Sequence, residues 1–125
     1  VFCYHAGVRR AMNEFDEVSL VVTSVRGAKG ASSLAQTLIH ERLAACVTVL
    51  RGAVSFYEWQ GILTEAEEAV ILIKTTKAQA PNLEKRIKEV HPYEVPEILR
   101  FEAQYAEPAF AAWIRATTSG GTVQN

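Results

Sequence analysis

Apolar positions along this chain recur with two different periods, and the change of period separates strands from helices. Runs rich in β-branched residues, such as 18–25, indicate buried strands, whereas the apolar positions from Leu34 to Leu43 recur at helical spacing. Gln60-Gly61 indicates a tight turn between two long strand-like runs. In chain order, the predicted elements are a strand at 18–25, a helix capped by Ser32 or Ser33, a strand at 46–59 interrupted at 51–53, a strand at 62–76, a helix with Pro81 in its first turn, a strand at 98–104 and a helix from Pro108.

The order of these elements predicts the fold class. It is βαββαβ followed by one further helix, which is the split βαβ arrangement of ferredoxin-like domains. We therefore expect an α+β sandwich in which two helices cover one face of a four-stranded antiparallel sheet. We also expect Phe110, Trp113 and Ile114 to lie on one side of the extra C-terminal helix.

One domain accounts for the chain, since 125 residues suit a single core and no linker or repeat interrupts the pattern. We interpret residues 1–11 as sequence upstream of a native start at Met12, residues 12–118 as the domain and residues 119–125 as a flexible tail. The apolar runs are too short for a signal peptide or a membrane helix. We therefore expect a cytoplasmic protein without a membrane partner.

Charge and cysteine content narrow the possible partners. The formal net charge is −1, so the chain lacks the broad cationic field that attracts nucleic acid. Its two cysteines, Cys3 and Cys46, are poorly placed for a disulfide framework, and low cysteine content fits a reducing compartment. The sequence thus favours neither a nucleic-acid-binding protein nor a disulfide-stabilised one.

The long hairpin at 46–76 predicts that the chain associates with copies of itself. Each arm has about 14 residues, or roughly 45 Å at ~3.3 Å per residue, whereas a compact domain of this size is only about 35 Å across. An isolated two-stranded ribbon is marginal in water, so we expect neighbouring copies to bury the tip around a symmetry axis. The apolar residues of the tip are Val54, Phe56, Tyr57, Trp59, Ile62 and Leu63.

Four segments resemble the CutA family of divalent-cation tolerance proteins. In the family's order and spacing within residues 18–116, they are Glu41-Arg42-Leu43-Ala44-Ala45-Cys46-Val47, Ser55-Phe56-Tyr57-Glu58-Trp59-Gln60-Gly61, Ile73-Lys74-Thr75 and His91-Pro92-Tyr93-Glu94-Val95-Pro96-Glu97. The resemblance implies a ferredoxin-like homotrimer without an established catalytic reaction, linked to tolerance of divalent cations and most often of copper. It also implies an architecture similar to that of the PII signalling proteins, whose ligands lie between subunits.

One departure from the family weakens the implied copper site. Some bacterial members carry a cysteine on the first strand and two adjacent histidines before the Pro-Tyr pair. The corresponding positions here are Thr23 and Val90, which leaves His91 as the remaining ligand of that set. We therefore expect any Cu²⁺ or other divalent cation to bind weakly, and we expect no cofactor to be required.

His91 and Cys46 are the candidate metal ligands. Imidazole and thiolate groups bind copper, and an oligomer could supply the ligands that one chain lacks. The alternative for His91, which we favour, is a structural role beside the last carbonyl groups of a helix. For Cys46 we also favour a structural role, because it begins an apolar strand and no C-x-x-C or H-x-x-x-H pattern accompanies it.

A second group of candidates predicts a cleft between subunits. Lys74 ends an apolar strand and needs a partner if it is buried. Glu67 and Glu97 could supply carboxylates, and Trp59 and Tyr93 a flat apolar wall. The alternative is that these residues are contacts that hold the subunits together, and the two roles can coexist.

Two further clusters are less specific. The segment 26–30, which contains Arg26 and two glycines, precedes a helix and could hold an anion. It matches no phosphate-binding motif, so a solvated loop is the better interpretation. In a strand Glu65 and Glu67 share one face while Glu68 points to the other, which favours a solvated surface over an acidic metal site.

Three function hypotheses follow from these patterns. The leading one is a trimeric, non-enzymatic protein involved in the response to divalent metal ions, with weak copper binding. The alternative is a PII-like trimeric sensor that binds a small anionic ligand between subunits and signals to a partner protein. An acylphosphatase-like hydrolase is disfavoured, because the sequence offers no paired acid and base in a plausible pocket.

Overall fold

A computed structural model describes residues 17–119 of the chain. The predicted upstream segment 1–11, Met12 and the predicted tail beyond Ser119 lie outside the described residues. None of the helices within 17–119 is long and apolar enough to span a bilayer. These residues form β1 (Val18–Val25), α1 (Ala28–His40), β2 (Cys46–Trp59), β3 (Ile62–Thr76), α2 (Ala80–Val90), β4 (Leu99–Glu102) and α3 (Pro108–Thr118).

The strands form one antiparallel sheet in the order β2-β3-β1-β4. β1 pairs with β3 over its full length, from Val18 opposite Thr76 to Val25 opposite Ala69. β4 pairs with the other side of β1 through four residues. This order is that of a ferredoxin-like domain, which confirms the predicted α+β fold and leaves β2 and β4 as the edges among the described strands.

The hydrophobic core lies between the sheet and the helices α1 and α2. Val21 on β1 and Ile71 on β3 are directed to this side and are fully buried, as are Leu38 of α1 and Ile87 of α2. Burying a large aliphatic side chain stabilises the folded state by about 1.5–3 kcal/mol. This cluster therefore holds the two helices on one face of the sheet, as predicted.

The opposite face of the sheet is covered only at one end, by α3. Ala111 and Ile114 of α3 contact Val18, and Val18 lies three residues before Val21, so its side chain projects from the other face of β1. Farther along this face the sheet has no helix on it within the described chain. Leu50 on β2 and the two apolar residues of β4, Leu99 and Phe101, are about half exposed there.

The predicted apolar side of α3 is buried only in part. Ile114 is buried, but the stacked rings of Phe110 and Trp113 are both about half exposed. The buried stripe of α3 runs through Ala111, Ile114 and Thr118 instead. Phe110 and Trp113 each precede a buried residue by one position, so their rings lie beside the buried stripe and not within it.

Two element boundaries differ from the sequence-based prediction. α1 begins at Ala28 rather than after Ser32 or Ser33, because Gly27 adopts φ 83° and turns the chain into the helix earlier. β4 ends at Glu102, two residues before the predicted end, and begins at Leu99.

β2 and β3 extend beyond the core as a two-stranded ribbon, here defined as residues 53–68. Gln60 and Gly61 form its turn, and both have positive φ angles, 52° and 81°, which suit the twist of a hairpin. The exposed fractions are 65% for Phe56, 68% for Ile62 and 77% for Leu63. The single chain therefore leaves the apolar tip of the ribbon in contact with solvent.

Candidate functional site

A cleft of about 780 Å³ lies where the ribbon leaves the core. The ribbon forms one wall, and the segment 92–97 that follows α2 forms the other. Ser24 near the end of β1 and Arg26 just after it contribute the floor. The residues that line the cleft are Ser24, Arg26, Ser55, Phe56, Tyr57, Trp59, Thr64, Glu68, Pro92, Tyr93, Glu94, Val95 and Glu97.

A β-bulge between Leu50 and Ala53 determines which ribbon residues face the cleft. It inserts one extra residue into β2 at the predicted interruption, where Gly52 adopts φ 83°. Beyond the bulge, Ser55 and Tyr57 share a face with Glu68 of β3. Without the extra residue the alternation along β2 would be reversed, and these two hydroxyl groups would project from the other side of the ribbon.

The carboxylate of Glu68 is the buried charge of the cleft. It is 6% exposed and accepts hydrogen bonds from Ser55 Oγ at 2.7 Å and Tyr93 Oη at 2.6 Å. Burial alone raises the pKa of Glu68, but the hydrogen bonds from Tyr93 and Ser55 and the charge of Arg26 outweigh it. The net effect lowers the pKa, so the group is a carboxylate at neutral pH.

Tyr93 is fixed by Glu68 and supports Arg26. Burial, the hydrogen bond to Glu68 and the negative charge of that carboxylate together raise the pKa of Tyr93 to about 12. Its phenol is therefore a proton donor at neutral pH. The guanidinium carbon of Arg26 lies 5.5 Å from the centre of the Tyr93 ring, and Arg26 Nη2 donates to Tyr57 Oη at 3.1 Å.

His91 anchors the start of the 92–97 segment through both ring nitrogens. The backbone N–H of Tyr93 donates to Nδ1 at 3.1 Å, so Nδ1 carries a lone pair. Nε2 then carries the proton and donates to the carbonyl oxygen of Ser24 at 2.8 Å. These contacts fit the structural alternative for His91, although the carbonyl group belongs to β1 rather than to a helix.

The two candidate metal ligands do not come together in one chain. Cys46 lies opposite Lys74, and Lys74 lies opposite Leu20 on β1. His91 contacts Ser24, four residues further along β1, which corresponds to about 13 Å. Across residues 17–119, no group of three or more His, Cys, Asp or Glu side chains is placed to hold a metal ion.

Three of the five predicted cleft residues line this cleft: Trp59, Tyr93 and Glu97. Glu67 does not, because it lies opposite Val54 on the other side of the ribbon. Lys74 also lies elsewhere, near the start of β2, where Nζ donates to Thr48 Oγ1 at 2.7 Å. An ion pair between Lys74 and either predicted carboxylate is therefore not formed within the described chain.

Sequence reasoning missed the residues at the centre of the cleft. Glu68 was assigned to a solvated surface and Arg26 to a solvated loop, whereas both line the cleft with Ser55 and Tyr57. The prediction that Glu65 and Glu67 share one face of the strand while Glu68 points to the other agrees with the structure. The available signal was Gly52, since a bulge there changes which β2 residues lie beside Glu68.

Comparison with known proteins identifies the family. The model of the family described as CutA1 divalent ion tolerance protein matches residues 19–117. The chain belongs to this family. It is 38% identical over 99 residues to the divalent-cation tolerance protein CutA of Thermus thermophilus. The aligned residues cover 79% of this chain and 96% of that protein. It is 33% identical over 101 residues to protein CutA of Mus musculus, covering 81% of this chain and 57% of that protein.

Solved CutA structures share the fold. The crystal structure of CutA from Xylella fastidiosa superposes with a TM-score of 0.80 at 34% identity, covering 82% of this chain and 98% of that one. The crystal structure of CutA1 from Oryza sativa superposes with a TM-score of 0.81 at 27% identity. The superposition covers 86% of this chain and 99% of that one. The CutA1 family is described by tolerance of divalent ions and not by a catalytic reaction. Membership thus agrees with the sequence-based resemblance.

Proposed function

We propose that this chain acts in the tolerance of divalent cations as a non-enzymatic homotrimer that binds copper weakly. The single observation that carries the link to divalent cations is the family match over residues 19–117. A cytoplasmic location, expected from the sequence, is part of the same proposal. The comparisons give no support to a PII-like sensor, so that alternative is not carried forward.

The surfaces that a single chain leaves exposed support the homotrimer. The ribbon tip presents Phe56, Ile62 and Leu63 to solvent, and the open sheet face presents Leu99 and Phe101. Contiguous exposed apolar surface of this kind is typical of sites that contact other proteins. Burial in a neighbouring copy removes both surfaces from water.

The sheet edges offer a way to close such an assembly. All four residues of β4 are exposed, and β2 and β4 are the edges of the described sheet. If the β2 edge of one copy meets the β4 edge of the next, each contact is head-to-tail, and a ring closes when the rotation permits. Three copies are the number that the family resemblance implies. In this arrangement Glu67 and Lys74, which lie outside the cleft, are proposed as subunit contacts.

The hydrogen bonds of His91 support the proposal that copper binds weakly. A copper ion could bind either ring nitrogen only after displacing the hydrogen bond to Ser24 or the one from Tyr93. Each net hydrogen bond contributes about 0.5–1.5 kcal/mol to stability, and losing one reduces the free energy gained on metal binding. Cys46 lies too far along the sheet to act with His91 in the same chain.

Calorimetric titration with Cu²⁺ tests the metal part of the proposal. A His5→Ala background removes the histidine outside the described residues. We expect weak binding that decreases further in His91→Ala or Cys46→Ala, and no change in the matched control His40→Ala, since His40 is exposed at the end of α1. Unchanged affinity in both the His91 and Cys46 variants would remove these residues from the account.

The non-enzymatic part of the proposal rests on the groups in the cleft. Glu68 accepts two hydrogen bonds, and Tyr93 holds its proton at neutral pH. Neither group is a free base or an activated nucleophile, and the described cleft residues include no histidine or cysteine. A binding role therefore suits this cleft better than a catalytic one.

A further inference from the structure

The cleft contains the guanidinium of Arg26, which is held in place and still has N–H groups that make no hydrogen bond to the described part of the chain. Within residues 17–119, the guanidinium of Arg26 makes one hydrogen bond, to Tyr57 Oη, and rests against the ring of Tyr93. A guanidinium has five N–H donors, so the remaining donors are available to a ligand. A positioned guanidinium fork binds a carboxylate through two parallel hydrogen bonds.

The 92–97 segment, on which Arg26 rests through Tyr93, carries negative charges that are also available. Glu94 and Glu97 line the cleft and are exposed, and neither forms a hydrogen bond or an ion pair with another residue of the described chain. Glu68 differs from them, because its two carboxylate oxygens are occupied by Ser55 and Tyr93. Glu94 and Glu97 are therefore the groups that can accept hydrogen bonds from a cation.

Apolar side chains line the same cleft. Trp59 of the ribbon is half exposed there, and Val95 of the 92–97 segment lines the cleft as well. The volume of about 780 Å³ falls within the range of small-molecule sites. Flat apolar surface of this kind fits a planar hydrophobic group.

We propose that the cleft binds a small zwitterion with a planar apolar body, the chemical class of the aromatic amino acids. The carboxylate would bind Arg26, the ammonium group would bind Glu94 or Glu97, and the ring would lie against Trp59. A simple anion fits less well because the cleft also contains the carboxylates of Glu68, Glu94 and Glu97, and a simple cation would leave the remaining donors of Arg26 unused. This site goes beyond the proposed function and does not involve a metal ion.

Three ligands with the same ring and different charges test the proposal: L-tryptophan, tryptamine and indole-3-propionate. Binding to the full chain is measured by calorimetry at neutral pH. We expect tryptophan to bind about tenfold or more tightly than either analogue, because each charged group adds a charge-assisted hydrogen bond. In Arg26→Gln, tryptophan should no longer bind more tightly than tryptamine. In the double variant Glu94→Gln/Glu97→Gln, tryptophan should no longer bind more tightly than indole-3-propionate.

Two further variants keep the test decisive. Glu67→Gln removes a carboxylate from the other side of the ribbon, so all three affinities should stay unchanged. Arg26→Lys keeps the positive charge but not the guanidinium fork, and an intermediate loss is expected. The mass of every sample is measured by light scattering, so a failure of the trimer proposal is recognised separately from a failure of this one.

Four results would overturn the proposal. They are no binding of tryptophan at millimolar concentration, equal affinity for all three ligands, tightest binding of tryptamine and tightest binding of indole-3-propionate. The second result would indicate an apolar surface without charge recognition. The last two would assign the cleft to a simple cation or a simple anion.

Discussion

The strands β2 and β3 pass through two regions in which similar apolar residues have opposite surroundings. On the core half of β3, Ile71 and Ile73 are fully buried under α1 and α2. On the ribbon half of the same strand, Ile62 and Leu63 are mostly exposed. Large aliphatic residues thus occur in both halves, and what differs is whether another element of the chain covers them. The helices α1 and α2 cover the core half, whereas no element of the described chain covers the tip of the ribbon.

The largest expected effect comes from changing an isoleucine of β3 to alanine, once in the core half and once in the ribbon half. Ile71→Ala opens a cavity in the core and should lower the free energy of unfolding by about 2–5 kcal/mol. Ile62→Ala should leave the fold of the subunit intact and instead weaken the association of subunits. Denaturant unfolding at fixed protein concentration, combined with light scattering, measures both. If both variants lowered the free energy of unfolding of the subunit equally and neither weakened association, the contrast between core and ribbon would be wrong.

The next effect concerns Glu68, at the junction between core and ribbon. The pKa of Glu68 is lowered on folding, so its contribution to stability is present above its ordinary pKa of 4.5 and is lost as pH falls through the lower folded pKa. Glu68→Gln removes the charge that two hydroxyl groups bind and should cost about 1.5–3 kcal/mol at pH 7.

The difference in unfolding free energy between the parent chain and Glu68→Gln should therefore shrink when the pH is lowered from 7 to 3. Guanidinium unfolding at both pH values, at one protein concentration, measures this difference. A difference that does not change with pH would show that the charge of Glu68 is not what stabilises the junction. Glu67→Gln, on the exposed side of the ribbon, is the matched control.

Tyr93 gives the complementary effect at alkaline pH. Folding raises the pKa of Tyr93 from its ordinary value of 10.0 to about 12. The contribution of the phenol to stability is thus present below pH 10 and is lost as pH rises toward 12. Tyr93→Phe should reduce the fall in unfolding free energy between pH 9 and pH 11, as measured by denaturant titration. An identical fall in both proteins would contradict the assigned hydrogen bond to Glu68.

The smallest effect compares a glycine of each region. Gly61 at the ribbon turn has φ 81°, so Gly61→Ala should cost about 1–2 kcal/mol. Gly30 lies inside α1, where an added Cβ would be 3.7 Å from Val25 Cγ2. Gly30→Ala should therefore stabilise the chain by about 0.5–1 kcal/mol. Thermal unfolding of the two variants should show shifts of opposite sign, and shifts of the same sign would refute this.

The fold was predictable because its elements depend on local patterns. The β-branched runs, the helical spacing of Leu34 and Leu38 and the Gln60-Gly61 turn each act over a few residues. The predicted bounds of the third strand, 62–76, are those of β3. The start of α1 was missed because φ 83° at Gly27, and not a serine side chain, begins the helix.

The candidate site was predictable only in part, because its centre depends on contacts between distant segments. Trp59 and Tyr93 were found through the composition of their own segments. Arg26, Glu68 and Ser55 come together only when the bulge sets the register of β2 and the 92–97 segment packs against β1. Hydrogen bonds such as that between Tyr93 and Glu68 join residues 25 positions apart, and no periodicity along the chain reports them.

The mass of the folded chain in solution tests the central claim, which is that the ribbon requires neighbouring copies. Light scattering at micromolar concentration should give three times the 13.8 kDa of one chain. The double variant Phe56→Ser/Leu63→Ser should shift that mass toward a single chain, because it removes exposed apolar surface from the ribbon tip. A well-folded parent chain with the mass of one copy would contradict the account.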